Sequence, residues 1–464
     1  MPAMTDDSLT TVRREHKFVR MRKSRARQSD RRNGRAARPG TPGSPEAAPF
    51  TRPPIERTLL ENGLTLLTVE LNDHPLVATV MLYGVGSVDE PAGKSGLAHL
   101  MEHMMFRGTR EHPAGAIDSV TGRLGGLNNA VTTHDTTSYY FVMPAAEWRT
   151  PLALEADRMV GCELSELAFE AERRIALEER GMLDDDPEAL ADEELDRIAF
   201  GAHPYGRPVV GEREDIERLS VEDLRAFYAA HYSPSNAVLV VCGDVLADEV
   251  RSAAEEYFGS LPGEPLAIRE PMARGAECVR NHRTIEERHA VPQVVMAFPC
   301  PPAVDPTTPA LDVVASLLAS GRSSLLYRRL VEERDVAVDV AAYRVLTRHP
   351  GLFYIAATLL EGADPAVVDE EVSAALEELK SGGLSAAELA KGRRLVRTDV
   401  LRARETRLGI AGGLALWEAL AGWDVGWAYE EAASGAGREA VVAAARAVFD
   451  EEKRSSVWLR PRGR

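Results

Sequence analysis

Cysteine is scarce in this chain and badly spaced for cross-linking. Cys162, Cys242, Cys278 and Cys300 are the only four in 464 residues, and none lies in a CxxC spacing. That argues against a disulfide framework and against a cysteine-ligated metal. Buried free thiols in a reducing compartment are expected instead, which suggests a cytoplasmic protein. Long apolar runs are missing too. No stretch approaches the roughly 18 apolar residues of a membrane span, and RREHKFVRMRKSRARQSDRRNGRAARPGTPGSP near the start lacks the apolar core of a secretory signal. Excess positive charge is absent from the body of the chain. The formal net charge is −17, although the first 52 residues carry 13 Lys/Arg against 5 Asp/Glu. An acidic body argues against a nucleic-acid partner and mildly favours basic peptides, because clefts lined by one sign of charge concentrate the other. The basic tail, residues 1–53, is expected to be disordered and to stand outside the fold.

What is present is enough sequence for two cores, since single cores stop growing at about 250–300 residues. Folded sequence is expected from near Ile55, where ERTLLENGLTLLTVELN reads as two strands around the turn signal Asn62-Gly63. LVATVMLYGVGSVDEP reads as a buried strand feeding a loop, and SGLAHLMEHMMF as a helix with Ser95 as its N-cap and apolar residues on nearly every face. Strand-like LNNAVTTHDTTSYYFVMP and AVLVVCGDV bracket a helical region from about Ala145 to Tyr228. The mixture predicts an α+β class. LPGEPLAIREPMARGAECVRNH is rich in proline, glycine and charge, and marks a linker. After it PQVVMAFPCPP, PALDVVASLLASG and LFYIAATLLEG repeat the earlier order of strand, loop, helix and strand. Two similar domains are expected, at 54–262 and 285–464, joined by a linker at 263–284.

Within the apolar helix, His99 and His103 form an i, i+4 pair, which puts two imidazoles on one face about 5–6 Å apart at Cβ. Glu102 lies beside them, within reach of a metal-bound water. Catalytic zinc takes three protein ligands and leaves one position open. The third must come from elsewhere, and FEAERRIALEERGMLDDDPEAL supplies candidates, with Glu172 and Glu179, seven apart, sharing a helix face. One of them can ligate while the other supports. Burying two imidazoles and a carboxylate without partners costs several kcal/mol, and a bound cation removes that cost. HxxEH is a known inverted order of the HExxH zinc signature.

These residues resemble the pitrilysin family of zinc metallopeptidases, which includes insulin-degrading enzyme and the mitochondrial processing peptidase. The likeness rests on SGLAHLMEHMMFRGT, GGLNNAVTTHDTTSYYF, ERRIALEERGMLDDDPE, HPYGRPVVG and FYAAHYSPSNAVLVVCGDV, in the family's order, and more faintly on ASGRSSLLYRRLVEER and GLFYIAATL. It implies two consecutive α/β-roll domains of the processing-peptidase type, each a mostly antiparallel sheet packed with helices. It also implies one zinc ion per chain, held by His99, His103 and Glu179, with Glu102 as general base and Glu172 as a supporting carboxylate. Glu179 follows His103 after 75 intervening residues, as the family's third ligand does. Glu178 is the alternative. Asn129 and Ala130 resemble the family's edge strand, to which an extended peptide adds by backbone hydrogen bonds. Without that likeness Asn129 reads as a turn residue beside Gly125-Gly126.

One stretch departs from the pattern. The family's second repeat usually supplies an Arg and a Tyr that hold the substrate, in a segment like VREKRGLAYSV. Here the segment is LVEERDVAVDV, and Val331 and Val338 occupy those two positions, with Tyr327, Arg328 and Tyr343 nearby but out of register. The expectation is therefore the zinc-bearing chain of a heterodimeric endopeptidase whose homologous partner carries the pair, or failing that a homodimer. The competing expectation is a non-catalytic scaffold subunit.

Overall fold

The computed structural model describes residues 52–263 and 280–462. Nearly all of the expected tail, and residues 264–279 of the expected linker with Cys278, lie outside the described residues. The first sheet is built from β1 (Ile55–Leu59), β2 (Thr65–Glu70), β3 (Leu76–Tyr83), β4 (Leu127–Thr132), β5 (Thr137–Pro144) and β6 (Ala237–Gly243), in the order β1-β2-β6-β3-β5-β4. The Asn62-Gly63 turn closes the β1–β2 hairpin as expected, pairing Leu59 with Thr65. Only β2 and β6 run parallel here. Its helices are α1 (Leu97–Met104), α2 (Ala116–Arg123), α3 (Arg149–Gly161), α4 (Glu166–Asp184), α5 (Pro187–Phe200), α6 (Arg213–Arg218), α7 (Val221–His231) and α8 (Ala247–Phe258).

The second sheet contains β7 (Asn281–Glu287), β8 (Gln293–Cys300), β9 (Ala337–Arg344), β10 (Gly351–Leu359) and β11 (Ser455–Pro461), in the order β7-β11-β8-β10-β9. Around it are α9 (Thr308–Ala319), α10 (Pro365–Ser381), α11 (Ala386–Ala403), α12 (Arg407–Leu420), α13 (Trp423–Gly435) and α14 (Arg438–Val448). Once β1 is set aside, the two sheets have the same plan. The parallel pair β2–β6 corresponds to β7–β11, and the antiparallel run β3-β5-β4 to β8-β10-β9. The repeat read from the sequence is thus a repeat of topology. Its start needs correcting, because β7 begins at Asn281, inside the expected linker.

Each sheet is covered on both faces, and one cover is exchanged. Leu66, Met81, Tyr139 and Leu239 of the first sheet pack with α1 and α8 in one core. Leu67, Val80, Val240 and Cys242 face the other way, onto Ala411, Leu414 and Ala415 of α12. Reciprocally, Val295, Ala297, Val457 and Leu459 of the second sheet face Ala191, Leu195 and Ala199 of α5, while Val294, Met296, Phe298 and Phe353 face α9, α10 and α14. A strand buried on both sides reads as a continuous apolar run rather than an alternating one, which is why AVLVVCG of β6 shows no period of two. Cys162, Cys242 and Cys300 are free thiols, and burial pushes each of them up to about 12. Among the described residues no helix is long and apolar enough to cross a membrane.

Candidate metal centre

Helix α1 carries the site, and its start is fixed by contacts distant in sequence. Ser95 does not cap it. The N-cap is Gly96, at φ 94°, while Ser95 Oγ donates to Asp215 Oδ2 at 2.8 Å and accepts from the Glu212 amide at 2.9 Å. The amides of Gly96 and Ala98 donate instead to one oxygen of buried Glu90, at 3.1 and 2.9 Å, so a carboxylate from the preceding loop meets the positive end of the helix. A β-carbon on Gly96 would lie 2.7 Å from the Val210 carbonyl oxygen, and one on Gly211 would lie 2.7 Å from the Gly96 α-carbon. The two glycines let the GRPVVG loop press backbone to backbone against the helix start.

From that start, His99, Glu102 and His103 project toward α4, and all but His103 are fully buried. His99 Nε2 and His103 Nε2 lie 3.6 and 3.7 Å from the same oxygen, Glu179 Oε2. A ligand atom from each of the three residues falls within 4.8 Å of the others. Four-coordinate zinc with bonds of about 2.0–2.2 Å spaces its ligands only a little more tightly. Glu178 is exposed and turned away, so of the two neighbouring glutamates only Glu179 reaches the histidines. Glu172, two turns earlier on α4, meets the far nitrogen of His103 at 3.2 Å and also pairs with Arg107. A hydrogen bond there leaves Nε2 of His103 as the free lone pair.

Burial dominates the electrostatics of the site. Burial raises Glu179 to about 7 despite the opposing pull of His103, and neither of its oxygens has a hydrogen-bond partner among the described residues. Burial and the neighbouring His103 hold His99 far below the ordinary imidazole range. Burial works the same way on His103, but the Glu172 hydrogen bond and nearby carboxylates outweigh it and raise that group. Burial raises Glu102, against the Thr132 hydrogen bond. A buried carboxylate with two bare oxygens, facing two imidazole nitrogens, is a donor set that a divalent cation satisfies. Zinc fits it.

Beside this cluster, β4 forms an edge of the first sheet, paired among the described residues with β5 alone. Ala130 is buried there, and its amide donates to the Asn129 side chain at 2.8 Å. Asn129 is therefore in a strand, not a turn. The second sheet holds the two valines. Val331 packs partly buried against the core below β8 and β10, while Val338 is 57% exposed on β9. Tyr327 packs against the same core, and Tyr343 stacks on Tyr354 at 5.1 Å. Sequence reading overlooked three contributors, Glu90, Arg107 and Thr132. The last had a legible signal, since it stands two residues beyond Ala130 and so shares its strand face.

Residues 67–213 match the family described as Insulinase (Peptidase family M16), and residues 218–396 match the Peptidase M16 inactive domain. The zinc protease PqqE of Helicobacter pylori is 30% identical over 368 residues, covering 78% of this chain and 82% of that protein. An uncharacterized zinc protease of Mycobacterium leprae is 31% identical over 77% of this chain and 81% of its own length. A probable mitochondrial-processing peptidase subunit beta of Schizosaccharomyces pombe is 33% identical, over 48% of each chain. The crystal structure of a protease from Helicobacter pylori superposes with a TM-score of 0.84 at 28% identity, covering 88% of this chain and all of that one. With this extent of likeness, the chain belongs to the pitrilysin/insulinase family, peptidase family M16.

Proposed function

We propose that this chain is the metal-bearing subunit of a zinc-dependent endopeptidase that cuts extended or unfolded peptides, with a homologous partner chain supplying the residues that hold the substrate. The observation that carries the reading is the convergence of His99 and His103 on the Glu179 carboxylate, which has no hydrogen-bond partner among the described residues. The relatives' description as zinc proteases agrees with it. His99, His103 and Glu179 would hold one zinc ion. Bound zinc would supply Lewis acidity to the scissile carbonyl and the attacking water. Glu102 takes the proton of that water and returns it to the leaving amine, and its raised proton affinity in the buried site suits both halves of that task. Glu172, held by Arg107, orients His103 through its far nitrogen. The edge strand β4, with Asn129 and Ala130, receives the peptide by backbone hydrogen bonds.

The partner is inferred from Val331 and Val338. Their register is supported by Asp335, which stands where VREKRGLAYSV has its glycine and is the only non-glycine with positive φ among the described residues, at 51°. Asp tolerates that conformation better than most residues, which fits a position where a glycine is otherwise used. The match of residues 218–396 to an inactive domain, together with the valine pair, also favours a second reading, a non-catalytic scaffold subunit. Zinc analysis and a peptide assay on the purified chain, alone and with a homologous chain from the same host, separate the two. The peptidase reading expects one zinc per chain and a gain in turnover with the partner of the order of 100-fold, the scale lost with one oxyanion donor. A metal-free chain would favour the scaffold. Full turnover alone, not improved by any partner, would remove the two-chain arrangement.

A further inference from the structure

We infer that Thr132 is a positioning residue for Glu102, tying the proposed base to the same strand that receives the peptide. Thr132 is the last residue of β4 and is 1% exposed. Its hydroxyl donates to Glu102 Oε2 at 2.5 Å. A threonine ending a strand can satisfy its hydroxyl on a nearby backbone carbonyl. This one crosses to a helix 30 residues away in sequence. The bond occupies Oε2 and leaves Oε1 as the oxygen not so engaged. A glutamate on a helix has several staggered rotamers, and the hydrogen bond from Thr132 selects one of them.

Thr132 can act this way because it is itself held. The turn that follows it is closed by Thr133, which accepts from the amides of Asp135 and Thr136 at 3.3 and 3.1 Å. Asp135 in that turn accepts from the Tyr205 hydroxyl at 2.6 Å and from the Arg348 amide at 2.9 Å. Arg348 also donates to the Asp135 carbonyl at 2.8 Å, and the His349 amide donates to the Tyr205 hydroxyl at 3.1 Å. The strand end is thus fixed on one side by the loop after β9 and on the other by the base. Through this one residue, the edge that aligns the peptide and the carboxylate that activates water share a frame.

The inference rests on the peptidase reading above, and the test separates the two. Thr132→Val keeps the shape and removes the donor; Thr132→Ser keeps the donor and removes a methyl group. In the zinc-loaded protein, with its partner where one is needed, Thr132→Val should keep its zinc and its KM. Its kcat should fall about 100-fold, the scale of a misplaced catalytic group. Thr132→Ser should retain most of the wild-type kcat. Crystal structures should show Glu102 fixed in the wild-type and Ser forms and turned away or spread over rotamers in the Val form. An unmoved Glu102 in Thr132→Val, an undiminished kcat, or a Ser variant as weak as the Val variant would each overturn the assignment. If the wild type neither binds zinc nor cuts peptides, the peptidase reading fails, and the structures of the variants still decide whether Thr132 sets Glu102.

Discussion

Glu102 and Glu179 are both buried carboxylates within one small space, and their surroundings differ. Among the described residues, Glu179 has no hydrogen-bond partner on its oxygens, which face two imidazole nitrogens, whereas Glu102 is held by Thr132. Glu102→Gln should therefore keep its zinc and lose turnover by about 100- to 10,000-fold, the range attributed to a general base. Glu179→Gln should lose the metal. Metal content and initial rates on the same samples check both. Glu90 makes a separate case. Burial raises it to about 8, one oxygen caps α1, and the other has no partner among the described residues. A carboxyl whose folded value lies above its ordinary one holds its proton more tightly when folded. Its contribution to stability is then complete below about pH 4.5 and is lost as pH rises toward about 8. Glu90→Gln keeps the acceptor and cannot ionise. Its Tm should be flatter with pH than the wild type's, with the difference growing between about pH 5 and pH 8 and levelling above.

At the scale of elements, the helices of the site were readable in outline and misread at the edges. SGLAHLMEHMMF was legible as a buried helix because apolar residues cover nearly every face and leave its three polar members without water. Its start was not, because the cap comes from Glu90 by a loop contact, and Ser95 is drawn off by Asp215. β9 went unseen, since AVDVAAYR is a half-buried edge strand with a broken alternation. α12 shows how an element can serve a sheet it does not belong to in sequence. Leu414 is 5% exposed beneath the first sheet, packed with Leu67, Val80 and Val240. Leu414→Ala should cost about 2–5 kcal/mol, the range for truncating a buried leucine. Because the same helix joins the two sheets, calorimetry should show a single transition moved down in temperature rather than a new one split off. Two separate transitions would mean that the exchanged helices do not couple the sheets.

For the whole molecule, two sheets of the same strand order trade one helix each, α5 for α12, and are also joined by Asp135, Tyr205 and Arg348. The amino-acid sequence alone determined the donor types of the candidate metal centre, because an i, i+4 histidine pair and two glutamates seven apart are set by the pitch of a helix. It also determined the repeat, because each copy must bury the same pattern of strands. Tertiary structure decided the remainder. Only folding brings Glu179 across to His99 and His103, turns Glu178 to solvent, places Thr132 on Glu102 and sends each half's helix onto the other's sheet. Those contacts join residues 30 to several hundred positions apart, and local periodicity carries no information over such distances; close packing between elements does.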